Sequence, residues 1–215
     1  MEIKMIGIVV TSYRLPENIT ERWIDKNIDV FNRHNITPFL VSDKKFERVE
    51  NVECPIFDNG IFSITRAANA GLKYAIESGM KIIIKTDIDC ILSDDFFDYI
   101  KIRIKAGYGE AFRYWQLYSD GKIERDKRTM GTVALASTDW QLIDYYNDSM
   151  EGYGYDDWDV VDRARFEKIK MRIVREPKVL HIYHEIKHNR NTINPILRKE
   201  NILAAKNNKI KKRKM

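Results

Sequence analysis

Cysteine is scarce. Cys54 and Cys90 are the only two among 215 residues, and they form neither a disulfide framework nor a metal-ligand spacing. Cys90 falls inside an apolar run and reads as a small core residue, so a reducing compartment is the simplest expectation. Long hydrophobic runs are also lacking. Ile6–Val10 and Ile82–Ile84 are far shorter than the ~20 apolar residues a membrane-spanning helix needs. Met1–Met5 has no apolar core and no small-residue cleavage site, so no signal peptide is expected. A cytoplasmic location follows as an expectation, with peripheral membrane association left open. There is no internal repeat and no Pro/Ser-rich linker to divide the chain.

What is present describes a folded protein. Hydrophobic residues make up 44% and charged residues 32%, and the length suits one sizeable core. The net charge of +5 is unevenly placed. Lys206, Lys209, Lys211, Lys212, Arg213 and Lys214 put six positive charges in the last ten residues; the rest of the chain has 31 basic against 32 acidic residues. Such a tail reads as a solvated end, or as a contact for a polyanion such as DNA or an anionic lipid surface.

The first half alternates strands and helices. Ile3–Thr11 and Ile36–Val41 read as strands and Cys54–Phe57 as a third. Helices are predicted over Glu17–His34 and Ser63–Ser78, with Ser63 as N-cap and Gly79 as the stop. The strand Lys81–Cys90 follows, then a helix from Ser93 to about Ile104, opened by Asp94 and Asp95. This alternation predicts a mostly parallel sheet with helices on its faces, and such sheets bind ligands beyond the carboxyl ends of their strands. The second half is less regular. Ala106–Arg128 suggests hairpins or a mobile loop, Gly131–Ala136 a short strand, Thr138–Tyr146 and Asp156–Ile169 helices, and Met171–Ile182 one or two strands.

Three constellations carry chemistry. In KIIIKTDIDCIL (Lys81–Leu92), alternation along a strand would put Asp87 and Asp89 side by side, an oxygen pair able to hold a hard divalent cation. Two solvated turn aspartates are the alternative. In YGYDDWD (Tyr153–Asp159), Asp156 and Asp157 open a helix. Capping explains one of them, but the glycine–aromatic cluster around them reads as a binding surface, where a carboxylate could act as general base toward a hydroxyl. Finally, His181 and His184 end a strand, where either a structural imidazole or a cation ligand would fit; imidazole with carboxylate suits Mn²⁺ better than Ca²⁺.

In combination these segments resemble the metal-dependent glycosyltransferases of the GT-A fold, with the inverting family 2 and β-1,4-galactosyltransferase-like enzymes as the nearest likeness. The resemblance runs in the family's order from about Ile6 to Pro195. Ile8–Ile19 is similar to the opening strand and nucleotide-contacting loop, which implies donor contacts at Thr11 and Tyr13. Phe39–Asp43 resembles the second strand, whose terminal Asp43 would meet the base. Thr65–Gly71 resembles a segment that would bring Arg66 and Asn69 to the donor, with one extra alanine between them. Thr86–Asp89 resembles the DxD motif, with Asp89 on the metal and Asp87 facing the ribose or a metal-bound water. Met130–Ser137 is similar to the strand near the acceptor. Gly152–Asp157 resembles G-x-G-x-E-D, with Asp156 in the glutamate position, Asp157 as catalytic base and Arg163 matching a later arginine. His184 or His181 would be the third metal ligand, and Tyr153, Tyr155 and Trp158 would face the acceptor.

The resemblance implies an α/β fold of GT-A (Rossmann-like) type, a mostly parallel central sheet flanked by helices with a small antiparallel acceptor-side subregion. One domain over 1–200 is expected, with 1–92 binding the nucleotide sugar, 93–200 serving acceptor and catalysis, and 201–215 a basic tail. The implied activity is transfer of a sugar from a nucleotide-diphosphate sugar, UDP-sugar first, to a hydroxyl of a glycan, glycoprotein or glycolipid, with Mn²⁺ or Mg²⁺ and inversion at the anomeric carbon. A modified DNA base as acceptor, a nucleotidyltransferase and a catalytically weak binding module are the alternatives. No glycine-rich, lysine-bearing loop near the first strand supports the nucleotidyltransferase.

Overall fold

The computed structural model describes residues 5–12, 17–54, 63–150 and 155–182. The basic tail lies outside them. In chain order the elements are β1 (Ile6–Ser12), α1 (Glu17–His34), β2 (Ile36–Ser42), β3 (Glu50–Glu53), α2 (Ile64–Glu77), β4 (Ile82–Thr86), β5 (Cys90–Ile91), α3 (Asp94–Arg103), β6 (Tyr108–Leu117), β7 (Ile123–Ala136), α4 (Ser137–Leu142), α5 (Asp156–Phe166), β8 (Lys170–Val174) and β9 (Leu180–Ile182).

All strands join one sheet in the order β3-β2-β1-β4-β7-β6-β9-β5, with β8 pairing β6 off that path. β3, β2, β1 and β4 run parallel, and every residue of β1 and β4 is buried, as central strands covered on both faces must be. At β4 the sheet changes character, because β7 joins it antiparallel from Ile82↔Ala136 to Lys85↔Val133. β6 continues antiparallel to β7, while β8 and β9 add parallel to β6. The mostly parallel α/β sheet with an antiparallel part is therefore present.

Two apolar cores flank the sheet. On one face α2, α4 and α5 pack through Leu72, Trp140, Val160 and Val161; on the other α1 and α3 pack through Trp23, Phe31, Phe96 and Phe97. α1 buries Thr20, Trp23, Ile24, Asn27 and Phe31, the three-and-four spacing of one helical face. Ser63 caps α2 by accepting from Arg66 N, and Gly79 leaves that helix at φ +87°, a conformation that favours glycine. Buried Asn27 fastens α1 to the strand after the aspartate pair. Its amide donates to Cys90 O at 3.1 Å and its carbonyl accepts from Leu92 N at 2.9 Å.

Several expectations need correction. A strand not expected from the sequence forms at Glu50–Glu53, where Val52 faces the core; Cys54 follows it outside any strand, and residues 55–57 of the expected Cys54–Phe57 strand lie outside the described residues. β4 stops at Thr86, and Asp87–Asp89 form a turn closed by Cys90 N donating to Asp87 O at 3.1 Å. The two aspartates are therefore gathered by a turn and not by strand alternation. Ala106–Arg128, by contrast, takes the first of its two expected forms, as most of a long β6–β7 hairpin. α4 ends at Leu142, before Asp144 and Tyr145 adopt positive φ, and α5 ends at Phe166, before Lys168 does.

Candidate active site

The aspartate turn leaves the sheet centre between β4 and the β6–β9 edge. Asp87 and Asp89 stand half-buried there, and one ligand atom from each lies within 4.8 Å of the other and of Cys90. Burial, reinforced by Asp89 and Asp87, pushes the Cys90 thiol well above its ordinary range, so it stays protonated and is a poor partner for a hard cation. His181 on β9 fits better. Its Nε2 is 3.0 Å from Asp89 Oδ2. Its Nδ1 is 3.0 Å from Gln116 Oε1, and Gln116 in turn donates from Nε2 to Asp126 Oδ2 at 2.6 Å. With Gln116 Nε2 given to Asp126, Gln116 Oε1 is the acceptor facing His181 Nδ1, and Nε2 is the nitrogen turned toward Asp89 and toward a cation held there. Tyr114 stacks on the imidazole, with ring centres 5.2 Å apart and planes 15° apart. Carboxylate and imidazole together form a donor set that fits Mn²⁺.

Asp87 is engaged differently. Its Oδ2 accepts from the Tyr114 hydroxyl at 2.8 Å and its Oδ1 from Lys85 Nζ at 2.9 Å. Burial and the neighbouring Asp87 push the Tyr114 phenol well up, keeping it a donor. Thr132 donates to the phenol oxygen at 3.3 Å and lies 2.6 Å from Thr86 Oγ1. Gly131 makes this cluster possible, because a Cβ there would collide with Asp87 Oδ2 and the Tyr114 hydroxyl. Gly131→Ala is expected to destabilise the protein by about 1–3 kcal/mol through overpacking and to displace Asp87. A thermal melt of the variant, paired with a Mn²⁺ titration, checks both effects.

Across Lys85 stands Asp157, in the first turn of α5 and only 8% exposed. Lys85 Nζ is 4.0 Å from Asp157 Oδ1, and the Tyr146 hydroxyl donates to that oxygen at 3.0 Å. Burial raises the Asp157 pKa to about 8, helped by Asp156 and Asp87 and opposed by Lys85 and Tyr146. For Lys85, burial works against the charge, but Asp87 and Asp157 outweigh it and lift its pKa well above the ordinary value. The aspartate turn and the α5 carboxylate thus belong to one centre joined by a buried ammonium.

The other expected residues fall in three places. Thr11 is the penultimate residue of β1 and Asp43 directly follows β2, both at the carboxyl edge of the parallel strands, Thr11 buried and Asp43 exposed. Arg66 and Asn69 lie on α2 and meet the loop before α5. Arg66 Nε donates to Asp148 O at 3.2 Å, and Asn69 binds Tyr146 O, Tyr146 N and Asp148 Oδ1. Asn69 therefore shapes the loop that carries Tyr146. Tyr155 precedes α5 at φ 74°, Asp156 opens the helix half-buried, and Trp158 packs partly against the core. Arg163 is held inside by Asp159 at 2.7 Å and by Ile143 O. Tyr13, Tyr153 and His184 lie outside the described residues. Sequence reasoning missed Lys85, Tyr114, Gln116 and Tyr146. Only Lys85 left a signal, as a lone cation inside a run of isoleucines that demands a buried counter-charge.

Residues 117–189, about a third of the chain, match the family described as the N-terminal domain of galactosyltransferase. The solved structure of the Drosophila β1,4-galactosyltransferase 7 catalytic domain with xylobiose superposes with a TM-score of 0.61 at 12% identity, over 87% of this chain and 74% of that one. This is the GT-A glycosyltransferase fold. GalNAc-T7 with UDP, GalNAc and Mn²⁺ aligns at a TM-score of 0.58 and 11% identity, over 84% of this chain but only 44% of its own. S. aureus TarS 1–349 aligns at 0.53 and 11% identity, over 83% and 60%. No curated protein matches the sequence. Within this GT-A frame the Asp87–Asp89 turn is DxD-like, and both the matched family and the Drosophila neighbour are galactosyltransferases by name. Among the described residues no helix is long and apolar enough to cross a membrane.

Proposed function

We propose that this protein is a metal-dependent inverting glycosyltransferase that moves a sugar from a nucleotide-diphosphate sugar, UDP-sugar first, to an acceptor hydroxyl. One observation carries the reading: Lys85 reaches both Asp87 and Asp157, so the cation-side carboxylates and a buried base share one centre. Asp89 and His181 are the described residues that would hold Mn²⁺ or Mg²⁺, with His184 as a further candidate. When bound, the cation would offset negative charge on the departing diphosphate. Thr11, Asp43 and Asp87 line the carboxyl edge where the nucleoside would lie, with Tyr13, Arg66 and Asn69 as further donor-side candidates. Residues 1–92 then form the donor half and 93–200 the acceptor half. Asp157 takes the proton of the attacking hydroxyl, Asp156 flanks it, and Tyr155 and Trp158, with Tyr153, offer the acceptor flat surfaces. A single attack opposite the leaving group inverts the anomeric centre. Support for the donor and metal comes from neighbours solved with UDP-Gal and manganese, or with UDP and Mn²⁺.

The test is a panel of nucleotide sugars incubated with the protein and Mn²⁺. Release of nucleoside diphosphate, abolished by a chelator, is the expected result. Release of pyrophosphate would mean nucleotidyl transfer, and no release from any donor would overturn the reading.

A further inference from the structure

Lys85 occupies the middle of the sheet, on a strand that otherwise holds three isoleucines and Thr86, with 1% of its surface exposed. Stability does not account for it, because a buried ion pair replaced by apolar residues of similar volume is often neutral or stabilising. Its position is informative. The ammonium lies 2.9 Å from Asp87 Oδ1, 4.0 Å from Asp157 Oδ1 and 5.9 Å from the Tyr146 ring. Tyr114 takes the other oxygen of Asp87 and Tyr146 holds the same oxygen of Asp157. Of the two turn aspartates, Asp87 therefore has both oxygens bound by donors of this chain, whereas Asp89 faces His181.

We propose that Lys85 is a positioning residue of this centre: it withholds the Asp87 carboxylate from direct cation ligation and fixes it relative to Asp157. The proposal rests on the glycosyltransferase reading. Lys85 makes the two aspartates of the turn unequal, Asp89 for the cation and Asp87 for orientation. It also spans the reaction centre, so its ammonium sets the separation between the cation side and the base. Removing it would release Asp87 as an additional ligand and delete a positive charge beside the cation. Cation affinity would rise while catalysis falls, a split that a merely structural lysine would not produce.

The experiment compares the full chain with Lys85→Met, Lys85→Gln and Lys85→Arg. Mn²⁺ is titrated calorimetrically without donor, and donor turnover is measured separately. Lys85→Met is expected to bind Mn²⁺ on the order of tenfold more tightly, the scale of one unit charge in a partly buried site. Its kcat should fall on the order of 10-fold or more, as expected when a base is misplaced, without a rise in the donor KM. Lys85→Arg keeps the charge and should bind Mn²⁺ as the wild type does. Lys85→Gln removes the charge and ends one atom short of the Lys85 ammonium, so it loosens the hold on Asp87 and gives the neutral comparison if Lys85→Met does not fold. Unchanged or weaker Mn²⁺ binding in the folded neutral variants overturns the proposal. The titration needs no turnover, so a wild type that binds Mn²⁺ but releases nothing from any donor sinks the glycosyltransferase reading, and the affinity comparison still decides what Lys85 does to Asp87.

Discussion

Asp157→Asn is expected to reduce sugar transfer by roughly 10²–10⁴-fold, the usual contribution of a positioned general base, while nucleotide-sugar binding stays nearly intact. The amide keeps the shape of the carboxylate and can still accept from Tyr146, so the α5 turn should fold unchanged. What it cannot do is take a proton. Donor binding measured by calorimetry, beside turnover measured as nucleoside diphosphate release, separates the two effects. Undiminished turnover would remove Asp157 from the mechanism. The pH profile offers a second check. With the Asp157 pKa raised to about 8 by burial, the base form gains population as pH rises through that value, so turnover should climb from neutral to mildly alkaline pH. Stability runs the other way. A carboxyl that holds its proton more tightly when folded contributes fully below the ordinary value of 3.8, and that contribution is lost as pH rises through about 8.

Asp89→Ala should cost at least ~10–100-fold in Mn²⁺ affinity, since even residues that only support metal ligands are worth that much. Asp89 Oδ2 is the oxygen opposite His181 Nε2, so its removal leaves the imidazole facing an empty methyl. Calorimetric titration with Mn²⁺ reads the loss directly, and unchanged binding would place the cation elsewhere. Asp87 has a different expected signature, because its oxygens are held by Lys85 and Tyr114.

Much of the fold was legible because its signals are local. Alternating strands and helices announced the parallel sheet, and Ser63, Gly79 and Ser93 marked helix ends through capping chemistry that acts within a few residues. The β6–β9 edge was not legible, because register there is set by pairing across the whole second half. The same division holds for the site. Asp87, Asp89, Asp157 and His181 stood out as carboxylates and an imidazole at element ends. Tyr114, Gln116 and Tyr146 looked like ordinary strand and loop residues until long-range pairing put their polar atoms against those groups. Strand alternation also put the two aspartates side by side for the wrong reason, since a turn gathers them.

The change of direction at β4 has a practical consequence for engineering. The strand leading into the aspartate turn hydrogen-bonds to β1 on one side and to β7 on the other, so the proposed donor and acceptor halves share a single sheet, with no linker between them. A cassette ending at Thr86 could not be exchanged between such proteins freely, because the transplanted strand would have to match the Ile82↔Ala136 to Lys85↔Val133 register and the host would have to supply Asp87 and Asp157 as counter-charges for Lys85. A graft bounded after β7 would carry the seam intact.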